Sequence, residues 1–151
     1  MPSLLAVVLF ALSATQVDAA LGKQASPARR AAVTQLILKH AQLVQMDPVL
    51  VAAIVSMENP RLAPSARNKS NVGIMQVHTL WLRRTDWQRE CGDDLTNIDT
   101  NVCFGVRVLQ VHLDEHESTF DGLLAYNGCK STRCRSYATR VLSRADAARL
   151  K

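Results

Sequence analysis

Aromatic residues are scarce in this chain, at 5% of its 151 residues, and so are glycine, with six, and proline, with five. Alanine and leucine are abundant instead. That balance disfavours strands and favours helices, so an all-α or mostly α fold is expected. Repeats, long linkers and low-complexity tracts are absent from the sequence, which leaves one ordinary domain. A glycine-rich phosphate loop and a nucleotide-binding motif are missing too, and no cofactor is expected. Lysine and arginine are missing from the N-terminal stretch that leads into the first apolar run.

That run, Leu4-Leu5-Ala6-Val7-Val8-Leu9-Phe10-Ala11-Leu12, is uncharged, and small or polar residues follow it through Ser13, Thr15, Asp18, Ala19 and Ala20. A membrane anchor needs about 20 apolar residues, and this run is shorter. The pattern reads as a signal peptide over residues 1–19, with Val17-Asp18-Ala19 as the cleavage triplet and Ala20 as the new first residue. A buried N-terminal helix is the competing reading. Cleavage would remove one acid, Asp18, and no base, raising the formal net charge from +5 to +6. Residues 20–151 suffice for a single domain with a real core. A basic domain suits a polyanionic partner. Export favours a bacterial wall over nucleic acid, so a periplasmic location, no nucleic-acid partner and no stable membrane span in the mature chain are expected.

All four cysteines, Cys91, Cys103, Cys129 and Cys134, lie beyond the cleavage point. An even number in an exported chain reads as two disulfides. Of the three possible pairings, Cys91–Cys103 and Cys129–Cys134 each close a short loop and are favoured. Zinc competes, because Cys129 and Cys134 have four residues between them, but Cys91 and Cys103 have eleven and form no second knuckle. His112 and His116 share a helix face, yet two ligands do not make a metal site. They read as a solvated face, and no metal is expected.

Ser26-Pro27 and Asp47-Pro48 each look like an N-cap followed by proline at the first helical position. They predict helices from Pro27 to about Gln45 and from Pro48 to about Glu58. Residues 60–71 are loop by composition. Helix is expected again from Ile74 to about Arg83, then loop from Cys91 to Ile98. A helix capped by Asp99 or Thr100 should run to about Glu115, with Val102, Val106, Leu109 and Leu113 at helical spacing. Another should begin at Ser118 or Thr119 and stop at Asn127-Gly128, and a last one should span about Thr132 to Leu142. The tail from Lys130 to Lys151 holds seven basic residues against one acid, Asp146.

Glu58 ends an almost wholly apolar helix and is the first carboxylate after Asp47; the next is Asp86. A glutamate in apolar surroundings has a raised pKa and can act as a general acid near neutrality. The competing reading is a solvated helix end. Gln76, embedded among apolar residues after Gly73, is either a core amide satisfied by backbone or a groove residue that reads a sugar. Trp81 and Trp87 either stack on sugars or pack.

Taken together, these segments resemble the lytic transglycosylase domain known as the SLT or goose-lysozyme-like fold, from about Val44 to Leu142. Its opening Asp-Pro and the helix ending in glutamate are matched by Asp47-Pro48 and Glu58. Its Gly-Leu-Met-Gln-Ile is matched by Gly73-Ile74-Met75-Gln76-Val77. Its Asn-Ile segment with a helical glycine is matched by Asn101-Val102-Cys103-Phe104-Gly105, and its Ala-Tyr-Asn by Ala125-Tyr126-Asn127 with Gly128. Its late tyrosine and valine are matched by Tyr137 and Val141. The chain departs from the pattern at Asn59, where serine is usual, and at Asn127-Gly128, where an alanine usually intervenes.

The resemblance implies a peptidoglycan lytic transglycosylase that cuts the bond from N-acetylmuramic acid to N-acetylglucosamine and leaves a 1,6-anhydro end. Glu58 would be the catalytic acid and base, and Tyr126 would orient it or stabilise charge. Gln76 and Asn127 would hold sugar or backbone, Gly73 and Met75 would lie along the groove, and Tyr137 would stand behind it. Small size, the cysteines and Trp81 resemble the branch that serves secretion, conjugation or pilus machines, so such components are expected partners. A hydrolytic muramidase on the same fold and a non-catalytic wall-binding assembly protein are the alternatives.

Overall fold

The computed structural model describes residues 4–128 and 131–151, with side chains from Ser13 onward. Its helices are α1 (Leu4–Leu21), α2 (Pro27–Leu43), α3 (Pro48–Glu58), α4 (Thr85–Cys91), α5 (Ile98–Asp114), α6 (Thr119–Asn127) and α7 (Arg135–Arg149). Three two-residue strands, β1 (Arg67–Asn68), β2 (Asn71–Val72) and β3 (Val77–His78), form an antiparallel sheet in that order. The mostly α expectation holds. Ser26 and Asp47 accept hydrogen bonds from Arg29 N and Val49 N, so both caps start their helices as the sequence predicts.

Helix α3 is the centre of the molecule. Val49 through Ser56 are all buried, and α1, α2 and α7 pack around them. A helix apolar on every side can only be central. Its N-cap, Asp47, is also the ion-pair partner of Arg149 in the last turn of α7. Helix α1 runs unbroken through the expected cleavage point, with Val17, Ala20 and Leu21 in the core and Asp18 paired to Arg30 at 2.9 Å. Among the described residues no helix is long and apolar enough to cross a membrane.

Several expectations need correction. Residues 74–83 are not a helix: they form a turn, then β3, then a 3-10 turn over Thr79–Arg83. Apolar spacing there reflects a buried turn, since Ile74, Met75 and Val77 all enter the core. Helix α4 was not foreseen, and α7 extends seven residues beyond Leu142. The cap of α5 is Asn97, whose side chain accepts from Thr100 N. Cys91 and Cys103 are bonded, tying the end of α4 to α5. Cys134 is buried and is not a free thiol; its expected partner, Cys129, lies outside the described residues.

Candidate active site

Glu58 emerges where α3 ends, at a groove of 1130 Å³. One wall comes from β2, β3 and the 3-10 turn, the other from α5 and α6. Tyr137, on α7, donates its hydroxyl to Glu58 Oε1 at 2.7 Å, and the Asn127 side chain also hydrogen-bonds the carboxyl. Burial pushes the Glu58 pKa up; the bonds from Tyr137 and Asn127 pull the other way without cancelling it. Burial, with the Glu58 charge beside them, raises both Tyr126 and Tyr137 above the usual phenol value. Both phenols therefore stay protonated donors.

The two tyrosines bond different partners. Tyr126, expected to orient Glu58 or stabilise charge, donates its hydroxyl to the Met75 carbonyl at 2.8 Å, while its ring lines the groove. A buried phenol needs an acceptor, and the Met75 carbonyl, in the turn between β2 and β3, supplies one. Tyr137, expected to stand behind the groove, is not among its described lining residues and bonds the carboxyl.

Around Glu58 the backbone is braced by amides. Asn59 caps α3 and is buried; its Nδ2 donates to Ala63 O at 2.8 Å and Gly73 O at 3.3 Å, and its Oδ1 accepts from Ala63 N at 3.1 Å. The residue that replaces the usual serine is thus fully engaged. Asn101, 1% exposed, donates to Val72 O at 2.8 Å and Leu95 O at 2.9 Å and accepts from Met75 N at 2.8 Å. Gln76 holds a left-handed conformation, φ 48°, that a non-glycine residue adopts only when its surroundings fix it. Its Nε2 donates to Gly73 O at 2.8 Å and Ala66 O at 3.3 Å. It lines the groove while its amide nitrogen is satisfied by backbone.

Two expected groove residues are instead structural. Gly73 is buried with φ 81°, and a Cβ there would lie 2.2 Å from Asn101 Nδ2. Met75 is fully buried against Gly105, where a Cβ would meet its sulfur at 2.3 Å. Both belong to the mould of the turn. Asn127 does reach the groove.

His112, read from sequence as a solvated position, was missed. It lines the groove, edge-on to Trp81 at 6.1 Å and to Tyr126 at 6.3 Å between ring centroids. The available signal was Val108, one turn earlier on α5 and buried, which marks that face as inward. Trp81 faces the groove while Trp87 stacks behind it at 5.4 Å and is buried. Among the described residues no three His, Cys, Asp or Glu side chains cluster closely enough to hold a metal ion.

Residues 35–143 match the model of the transglycosylase SLT domain. The chain belongs to that family. No curated protein and no solved structure matches it. SLT domains are peptidoglycan-acting lytic transglycosylases with a lysozyme-like fold. The match covers the whole groove, from α3 through Tyr137, so the geometry above is that of an SLT domain. It leaves α1 outside its limits.

Proposed function

We propose that this SLT domain is an active lytic transglycosylase in which Glu58 alone is acid and base. One observation carries the reading: among the described residues lining the groove, Glu58 is the only acid, and burial raises its pKa. Glycosidases that add water typically need two carboxylates about 5–9.5 Å apart. Here protonated Glu58 gives its proton to the oxygen linking N-acetylmuramic acid to N-acetylglucosamine, and that bond breaks. The Glu58 carboxylate then takes the proton of the muramic C6 hydroxyl as its oxygen bonds C1. The ring closes as a 1,6-anhydro sugar and no water is consumed. The internal hydroxyl is held beside C1 by its own sugar, a proximity worth several kcal/mol of barrier. Tyr137 positions the carboxyl, and Asn127 supports it. Export by residues 1–19 to the periplasm, and service to a secretion, conjugation or pilus machine, complete the reading. The Cys91–Cys103 bridge supports export, because such bonds persist in oxidising compartments.

Mass analysis of muropeptides released from purified wall tests this. New ends should be anhydro, and Glu58→Gln should lose at least about 100-fold in rate, the low end of general acid–base contributions. Ends that are all reducing sugars would make the protein a hydrolase. A Glu58→Gln variant with near-normal turnover would remove Glu58 from the chemistry.

A further inference from the structure

The groove does not stop at Glu58. A second cleft, of 530 Å³, shares Glu58, Asn68 and Gln76 with it, so the carboxyl stands at the junction of two cavities. The second cleft is walled by the segment that follows α3 and takes two cations from it, Arg61 and Arg67. Both are exposed, and among the described residues neither side chain has a hydrogen bond or ion pair. Arg67 acts on Asp94 only as the smallest of several effects there. The Glu58 shift itself comes from burial, opposed by its hydrogen bonds.

These arginines sit on fixed backbone. Asn59 bonds both the N–H and the carbonyl of Ala63, closing the turn that carries Arg61. Within that turn Leu62 is fully buried at φ 54°, a conformation costly to a non-glycine residue and retained because its side chain enters the core. Anchoring Leu62 inward leaves Arg61 outward. Arg67 is held by the pairing of β1 with Val72 of β2. Apart from Glu58, no acid among the described residues lines either cavity, whereas Lys69 and Arg83 add positive charge to the groove.

We propose that Arg61 and Arg67 form a carboxylate site that holds the peptide stem of a wall strand beside the bond to be cut. The proposal rests on the wall-cleaving reading above and deepens it. The amino-sugar backbone is uncharged where its lactyl groups are amide-linked to peptide, so a cationic cleft gains nothing from the glycan itself. The stems carry free carboxylates, and a guanidinium offers a carboxylate two parallel donors. Engagement there would fix the strand's register against Glu58.

The test uses the full chain, an Arg61→Gln/Arg67→Gln variant, and three strands: free-carboxylate stems, chemically amidated stems, and stems removed so that lactyl carboxylates are bare. The parent should show a KM about ten-fold lower on free-carboxylate than on amidated strands, the size of one charge-assisted hydrogen bond. In the double variant that ratio should fall to near one, with the change in KM rather than kcat. A parent that does not discriminate, or a ratio that survives in the variant, overturns the site and leaves the cleavage reading intact. Stem-free strands favoured through the same arginines would assign the site to the lactyl carboxylate and overturn the stem. A parent that cuts no strand defeats the cleavage reading, and the site with it.

Discussion

The half of the molecule that carries Glu58 and the half that walls its groove are held by different forces. Around α3, Val51, Ala52, Ala53 and Ile54 are fully buried among α1, α2 and α7, with no side-chain hydrogen bond among those four. Between Asn59 and Leu95 regular structure is sparse, and three amides, Asn59, Gln76 and Asn101, tie backbone carbonyls of its turns and strands together. Apolar packing tolerates any side chain of the right volume. An amide that bonds three backbone groups tolerates none, because each partner left unpaired in the interior carries its full desolvation cost. The acid is thus delivered by a forgiving scaffold and the substrate wall by an unforgiving one.

The largest effect that separates the halves should come from Asn101→Leu. It strips partners from Met75 N, Val72 O and Leu95 O, and should cost about 3 kcal/mol or more at about 1 kcal/mol per lost bond. Ile54→Val in the apolar half should cost about 1 kcal/mol. Urea unfolding of both variants checks this, and equal losses would erase the distinction.

The two tyrosines offer a sharper contrast. Tyr137 favours the charged form of Glu58, so Tyr137→Phe should raise the Glu58 pKa further, move the alkaline limb of the pH–rate profile upward, and slow turnover about ten-fold, as loss of a bond to a charged group implies. Tyr126→Phe should leave that limb in place and cost about 1 kcal/mol of stability through the unpaired Met75 carbonyl. Profiles and melts of both variants decide, and the reverse pattern would restore Tyr126 as the positioning residue.

The smallest effect concerns pH. The folded pKa of Glu58 lies above its unfolded value, so between the two the folded state keeps a proton that the unfolded state has released. Stability is then lost as pH rises through the folded pKa. Glu58→Gln cannot ionise, so it should melt with the parent near about pH 4 and above it at neutral pH. A gap that does not change with pH would deny that burial governs Glu58.

What could be read from the sequence followed the same division. Cap residues before proline marked the starts of α2 and α3, Ser118 and Gly128 bracketed α6, and periodicity marked α5, because each is a local signal. The three strands and α4 went unseen. Strands of two residues carry no alternation to detect, and their turns depend on Gly73 and Gln76 at positive φ, where Asn101 enters from far along the chain. Glu58 stood out through its apolar helix. Which tyrosine meets it did not, since that depends on how α6 and α7 pack and not on their spacing.

The last helix has a consequence for timing. Tyr137 steadies the carboxyl and Arg149 grips the cap of α3, yet both follow Glu58 in the chain by most of its remaining length. A polypeptide threading out of a translocation channel N-terminus first would deliver the acid long before its clamp. Until the final turn of α7 docks, the groove would hold an unsteadied carboxyl at the end of a loosely capped helix. The groove is therefore complete only once the last turn of the chain has joined the fold.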